Sequence, residues 1–152
     1  MLDIKGNSTD RRVARLSNFT ERFFVFDEVE CRGIEGLLQA FKCPDPRLQK
    51  EICGLGGKAA KARGMNFNGW KETQTLWWQQ VPYSRSSRDY ILLVTRCYDA
   101  AYDQDKSFKG DLLLIGYEEI CHSIGNPDMR DTVLTEVEML YQLNRLRLKA
   151  LQ

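Results

Sequence analysis

Apolar residues in the segment GIEGLLQAFK, residues 33–42, recur with the spacing of one helix face. They stand at positions i, i+3, i+4 and i+7, occupied by Ile34, Leu37, Leu38 and Phe41. This spacing predicts a helix that turns an apolar stripe towards a core. Two prolines, Pro44 and Pro46, follow the segment and are expected to end the helix.

The same segment carries a second stripe of polar side chains. Glu35, Gln39 and Lys42 fall at i, i+4 and i+7, so an acid, an amide and an amine share one side of the predicted helix. Such a stripe is usually the solvent-facing side of an amphipathic helix. The alternative is catalytic, because a carboxylate and an amine held on a packed helix can serve as a proton carrier and a nucleophile.

The rest of the chain has patterns that predict mostly helices. Aromatic and β-branched residues around Asp27 and Glu28 predict a short hairpin over residues 23–31. Helices are predicted over residues 47–53, 58–63, 70–80 and 88–102, and the apolar run 112–115 fits either a helix or a strand. A final helix begins at a capping box formed by Thr135 and Glu138.

These elements predict an α+β fold, a mostly helical single domain with a small β component. A chain of 152 residues with 43% hydrophobic residues has the size and apolar content of one ordinary domain. The polar start of the chain predicts a flexible N-terminal segment over residues 1–15, followed by the domain at residues 16–152.

Charge and hydropathy exclude several function classes. The chain has 22 basic and 21 acidic residues, a net charge of +1, so no global field favours nonspecific binding to nucleic acid or to membranes. No apolar run approaches the roughly 20 residues that cross a bilayer, and the start lacks the apolar core of a signal peptide. A cytoplasmic location without membrane contact is therefore expected.

Cysteine and histidine usage argues against metal and disulfide chemistry. Five cysteines are an odd number and include no C-x-x-C pair, which disfavours a disulfide framework and a zinc ribbon. His122 is the only histidine, so a histidine-based metal site is disfavoured. We expect neither a metal nor a cofactor.

Two further segments invite a nucleotide-binding interpretation. GLGGKAA, residues 54–60, runs glycine-rich backbone into a predicted helix, where Lys58, Lys61 or Arg63 could contact a pyrophosphate. The alternative is an ordinary turn between two helices that uses glycine for its conformational freedom. Trp70 could stack on a base or belong to the core.

Taken together, three blocks of sequence resemble the NADAR family of NAD- and ADP-ribose-associated proteins, which includes the YbiA type. They are the SNF segment that ends in Asn18 and Phe19, the pattern E-h-x-x-Q-a-x-K at residues 35–42, and GKAAKARG at residues 57–64 followed by Trp70. A weaker match includes His122, Asp128 and residues 133–136. The chain departs from the family at Gly36, where histidine is common, and at residues 128–131, which lack the tryptophan of D-x-x-W-G.

The resemblance implies hydrolysis of an N-glycosidic bond. The favoured substrate is ADP-ribosylated guanine in nucleic acid, and the implied role is that of an antitoxin paired with a DNA ADP-ribosyltransferase toxin. Lys42 would attack ribose C1 and hold it as a Schiff base, while Glu35 would act as general acid/base. The other implied substrate-binding residues are Asn18, Phe19, Gln39, Lys58, Arg63, Trp70 and Asp128.

Three alternatives stay open at this point. The same chemistry would serve an N-glycosidase acting on ribosylaminopyrimidine intermediates of riboflavin synthesis. The two departures from the family pattern suit a module that binds ADP-ribose or a related nucleotide without turnover. The many aromatic residues would also fit a domain that only binds other proteins.

Overall fold

The computed structural model describes residues 1–152 and has the predicted α+β architecture, with eight helices and six short strands. The helices are α1 Arg11–Ala14, α2 Ile34–Ala40, α3 Pro46–Cys53, α4 Gly57–Gly64, α5 Trp70–Thr73, α6 Arg88–Gln104, α7 Lys106–Ile115 and α8 Glu136–Leu151. The strands are β1 Leu2–Asp3, β2 Phe24–Phe26, β3 Val29–Cys31, β4 Thr75–Trp78, β5 Val81–Ser84 and β6 Ile120–Cys121. No helix has the length and apolar content needed to cross a membrane.

Helix α2 lies at the centre of the fold and is buried along its whole length. It packs against α3, α4 and α6, so its apolar stripe faces the core as the spacing predicts. Its predicted polar stripe is also covered, because Glu35 and Gln39 are 8% and 4% exposed. The usual solvent-facing interpretation of that stripe is therefore wrong for these two residues.

The six strands form three separate two-stranded sheets. The predicted hairpin over residues 23–31 is present as the antiparallel pair β2–β3. Its turn residues, Asp27 and Glu28, have φ values of 46° and 69°, as a tight hairpin turn requires. Arg96 of α6 donates to both carboxylate oxygens of Asp27, at 2.9 and 3.1 Å, and thereby ties this turn to the helices.

The prediction of a helix over residues 70–80 is wrong beyond the first helical turn. Helix α5 ends at Thr73, the next residue Gln74 has a left-handed backbone, and β4 and β5 then form an antiparallel hairpin. Burial alternates along β4, where Leu76 and Trp78 point inward. The buried Gln49 side chain fixes the hairpin, since its amide donates to Trp77 O at 2.8 Å and its carbonyl accepts from Gln79 N at 3.1 Å.

The first 15 residues, for which a flexible segment is predicted, pack against the rest of the domain. Strand β1 pairs in parallel with β6, and the side chains of Ile4 and Val13 are buried. The apolar run 112–115, which the pattern leaves unassigned, is the last turn of α7. The predicted capping box at Thr135 is present and begins α8.

Gly36 gives a test of how tightly the central helix is packed. A Cβ at this position would lie 3.1 Å from Ile52 O and 3.2 Å from Cys53 Cα, both backbone atoms that cannot move alone. We expect Gly36→Ala to destabilise the protein by about 1–3 kcal/mol through overpacking.

Gly110→Ala is the matched control in urea denaturation, because Gly110 lies within α7 and nothing approaches its Cβ position within 4 Å. Alanine is the better helix former there, so this variant should gain roughly 0.5–1 kcal/mol. A Gly36→Ala protein as stable as Gly110→Ala would contradict the packing described.

Candidate active site

One cleft of about 790 Å³ runs beside helix α2 and brings together residues from distant parts of the chain. Its walls come from the segment after α1, from α2, α4 and α5, and from the loop between β6 and α8. Five of the residues predicted from sequence line it, namely Asn18, Phe19, Glu35, Gln39 and Lys42.

Glu35 is a buried carboxyl group whose side chain makes one hydrogen bond, from Gln39 Nε2 to Glu35 Oε1 at 2.8 Å. Burial raises the pKa of Glu35 above the usual glutamate value, because the charged form loses its hydration. The Gln39 hydrogen bond and the charges of Lys61 and Lys42 act in the opposite direction and are outweighed. Glu35 is therefore better suited than an exposed glutamate to hold a proton near neutral pH.

Lys42 follows α2 directly and is half-buried on the same cleft. Burial lowers the pKa of its amine, while the neighbouring Glu35 charge raises it and the positive charges of Lys71 and Lys61 lower it further. The net direction is downward, towards an unprotonated amine. A neutral amine is the form of lysine that attacks carbon, so the cleft holds a potential acid and a potential nucleophile.

Gln39 has one buried polar atom left without a partner in the protein, its Oε1. The side chain has room because α4 places Gly64 against it, where a Cβ would come within 1.9 Å of Gln39 Oε1. A buried acceptor without a partner is unusual in a folded protein. This oxygen is enclosed against Gly64, so the role of orienting sugar hydroxyls that the resemblance implies for Gln39 stays a prediction.

Asn18 and Phe19 form the wall that faces the start of α2. The Tyr98 hydroxyl donates to Asn18 Oδ1 at 2.8 Å, and Asn18 O accepts from Glu35 N at 3.2 Å. Gly57 of α4 lies so close to this segment that a Cβ would come within 2.6 Å of Phe19 Cα. Phe19 is nevertheless 41% exposed, so part of its side chain is accessible from the cleft.

Four predicted residues lie outside the cleft. Trp70 is 3% exposed and belongs to the core, so the core alternative fits its placement. Lys58 is exposed on α4, and Arg63 donates to Glu51 at 3.0 Å on the surface. Asp128 stands in an exposed loop, where it accepts from Arg130 N at 2.9 Å.

Three further residues line the cleft, and the sequence offers one of them, Lys61, as a pyrophosphate contact. Lys61 reaches the cleft from α4, with its amine 5.7 Å from the centre of the Phe19 ring. Lys71 lines the opposite side and pairs with Asp131 at 3.0 Å. His122 completes the wall. Ala60 and Gly64 are the buried residues of α4 and fix its rotation. Lys61 therefore faces the cleft, whereas Lys58 and Arg63 do not.

A buried ion pair supports the wall formed by residues 132–134. Arg85 donates to both carboxylate oxygens of Glu138, at 2.6 and 3.1 Å, and to Thr132 O at 2.9 Å. Tyr90 adds a hydrogen bond to Val133 O at 2.6 Å. Because paired buried charges with full hydrogen bonding hold one geometry, this side of the cleft is fixed from behind.

The burial of Glu35 predicts a variant that is more stable than the natural protein. A carboxyl whose pKa is raised by folding favours the native state when protonated, and this contribution is lost as pH rises through the native pKa. Glu35→Gln removes the ionisable group and offers a donor to Gln39 Oε1. We expect a higher Tm at pH 7 to 8, with about 2–4 °C for each 1 kcal/mol gained in a domain of this size.

The difference in Tm should shrink near pH 4, where Glu35 is protonated in both states. Glu72→Gln is the control in the same thermal melts, because Glu72 is exposed on α5. A Glu35→Gln protein that melts below the natural protein at pH 8 would mean that the carboxylate itself stabilises the fold.

Comparison with known proteins finds one matching family and one relative of similar length. Residues 11–148 match the family described as bacteriophage protein GP30.3. An uncharacterized 17.1 kDa protein from the Gp30-rIII intergenic region of Enterobacteria phage T4 is 38% identical over 133 residues, which cover 87% of this chain and 88% of the phage T4 protein.

Among solved structures, the NMR structure of the E. coli protein YbiA matches 98% of this chain and 86% of its own, with a TM-score of 0.62 and 15% sequence identity. This likeness shows a shared fold, in agreement with the α+β architecture expected from the resemblance to the NADAR family. The chain thus belongs to the family of bacteriophage protein GP30.3 and has a YbiA-like fold.

Proposed function

We propose that this protein is an N-glycosidic hydrolase of NADAR type that removes ADP-ribose from ADP-ribosylated guanine in nucleic acid. One observation carries the proposal: Glu35 and Lys42 line the same cleft, and their pKa values are displaced in opposite directions, up for the acid and down for the amine. These directions favour a protonated carboxyl beside a neutral amine, which is the combination that this chemistry needs.

The first half of the reaction follows from these two protonation states. Glu35 gives its proton to the ring oxygen of ribose, the ring opens, and C1 becomes an iminium carbon bonded to the guanine nitrogen. The neutral amine of Lys42 adds to C1, a proton passes from the lysine nitrogen to the guanine nitrogen, and guanine leaves as an amine. Lys42 is then joined to ribose C1 as a protonated Schiff base.

The charge of the cleft supports a phosphate-bearing substrate. Three lysines line it, Lys42, Lys61 and Lys71, and Asp131 pairs with one of them. Lys61 forms no ion pair within 4 Å, unlike Arg63 on the same helix, and its amine lies 5.7 Å from the centre of the Phe19 ring. Lys61 is thus a better candidate than Lys58 or Arg63 to hold a pyrophosphate, with the Phe19 ring available for the attached nucleoside.

The low net charge of the protein favours a smaller substrate as the second candidate. A net charge of +1 gives the protein as a whole no broad positive field, whereas proteins that bind long nucleic acids usually carry one. A ribosylaminopyrimidine presents the same ribose C1 to Lys42 without a polynucleotide attached. Incubating the protein with both substrates separately distinguishes the two candidates.

Gly36, which stands where the NADAR family commonly has histidine, gives little support to the alternative of a non-catalytic binding module. The space in front of Gly36 is filled by the backbone of Ile52 and Cys53 at the end of α3, so position 36 faces the core rather than the cleft. Binding of ADP-ribose in calorimetry with no product after long incubation would still favour that module over an enzyme.

The central test measures release of ADP-ribose from a modified oligonucleotide. Glu35→Gln and Lys42→Ala should each lower the rate by at least about 10²-fold, the usual loss when a proton-transfer group is removed. Both variants should keep a cooperative thermal melt. Reduction with borohydride during turnover should trap a covalent adduct in the natural protein, and Lys42→Ala should form none.

Lys58→Ala is the matched control, because Lys58 is a lysine of α4 that lies outside the cleft. This variant should release ADP-ribose at the natural rate. If Glu35→Gln and Lys42→Ala also retained that rate, the assignment of the site would be wrong.

A further inference from the structure

His122 is the one histidine of the chain, and it lines the cleft that contains Glu35 and Lys42. It stands immediately after β6, whose parallel pairing with β1 sets the position of its backbone. Its backbone N–H donates to Glu136 Oε1 at 3.3 Å. The charge of His122 is one of those that act on Glu35, so the two side chains are electrostatic neighbours.

One hydrogen bond determines which ring nitrogen of His122 is protonated. Nδ1 lies 2.6 Å from the carbonyl oxygen of Ile4, and a carbonyl oxygen only accepts. Nδ1 must therefore carry hydrogen, and in the neutral ring the lone pair is on Nε2. Nε2 makes no hydrogen bond within the protein, which leaves it as the ring nitrogen available to a molecule in the cleft.

The fold also limits the orientation of the ring. Gly125 approaches it so closely that a Cβ there would lie 2.5 Å from His122 Cδ2. Asp3 accepts a hydrogen bond from the backbone N–H of Ser123 at 2.9 Å, which secures the next residue to β1. Backbone contacts on both sides thus hold an imidazole with an open proton acceptor, an arrangement typical of a general base.

We propose that His122 is the general base that activates water for hydrolysis of the ribose–Lys42 Schiff base, an inference that rests on the proposed function. Water adds to C1 and passes its proton to His122 Nε2, which gives a carbinolamine and a positively charged imidazolium. His122 returns the proton to the nitrogen of Lys42, and the bond between that nitrogen and C1 breaks. The C1 hydroxyl gives its proton to the Glu35 carboxylate, which leaves an aldehyde and all three side chains in their starting forms.

His122→Asn is the sharpest test, because the asparagine amide can still donate to Ile4 O but has no counterpart of Nε2. We expect the Lys42 adduct to form and to accumulate, so that borohydride traps more of it than in the natural protein. Steady-state release of ADP-ribose should fall by about 10²-fold or more. Added imidazole should restore part of the rate in His122→Gly, since a free base can occupy the vacated volume.

Ser123→Ala is the control for structural disturbance of this loop, because it removes the hydroxyl contact to Asp3 and leaves the imidazole unchanged. It should turn over at the natural rate. Nitrogen NMR of the single imidazole provides a readout independent of activity and should find hydrogen on Nδ1 and none on Nε2.

Each contrary outcome shows which part of the proposed mechanism is wrong, the role of His122 or the chemistry of Lys42. Natural turnover in a folded His122→Asn protein, or loss of the adduct in that variant, would overturn the role of His122 in hydrolysis and leave the proposed function standing. A ring protonated on Nε2 alone would overturn it as well. Failure of the natural protein to form an adduct would remove the Lys42 chemistry and the role of His122 with it.

Discussion

The burial of Glu35 on the central helix is the constraint around which the rest of the molecule is arranged. An ionised carboxyl without a cation in contact is costly in the interior of a protein, and Glu35 has only the Gln39 amide as a close partner. Gly36 of α2 lets α3 approach this helix closely, and Gly64 of α4 leaves room for the Gln39 side chain. A protein selected for stability alone would not retain such a group, whereas a proton donor for catalysis requires this environment.

The sequence contains enough information to predict α2 and to single out its polar stripe as a candidate site. The 3.6-residue spacing identifies the helix, and the order of acid, amide and amine carries the resemblance to a known family. The β4–β5 hairpin shows where this reasoning stops. Its turn uses two glutamines with positive φ rather than asparagine or glycine, and its position depends on Gln49, which is remote in sequence. The secondary-structure propensities of the local residues do not account for such a distant contact.

Residues of the candidate site that are close together in the sequence could be predicted, whereas those that tertiary packing brings there could not. Glu35 and Gln39 lie on α2 and Lys42 follows it directly, so their spacing in the sequence places them together. Asn18 and Phe19 belong to the segment that contacts the start of this helix. Trp70 was grouped with them by motif position, but an aromatic residue at a given place in a motif can equally well fill the core. His122 reaches the cleft only through tertiary packing, so its place there could not be read from the spacing of residues.

Because one wall of the cleft depends on the parallel pair β1–β6, the cleft is completed late in folding. His122 depends on a carbonyl group that lies 118 positions earlier in the chain, and contacts between such distant residues form after local ones because closing a long loop costs entropy. Helix α2, with its acid and amide, can assemble from nearby segments while the remainder is still being synthesised. The wall that carries the imidazole has to wait until β6 has left the ribosome and met the amino-terminal strand.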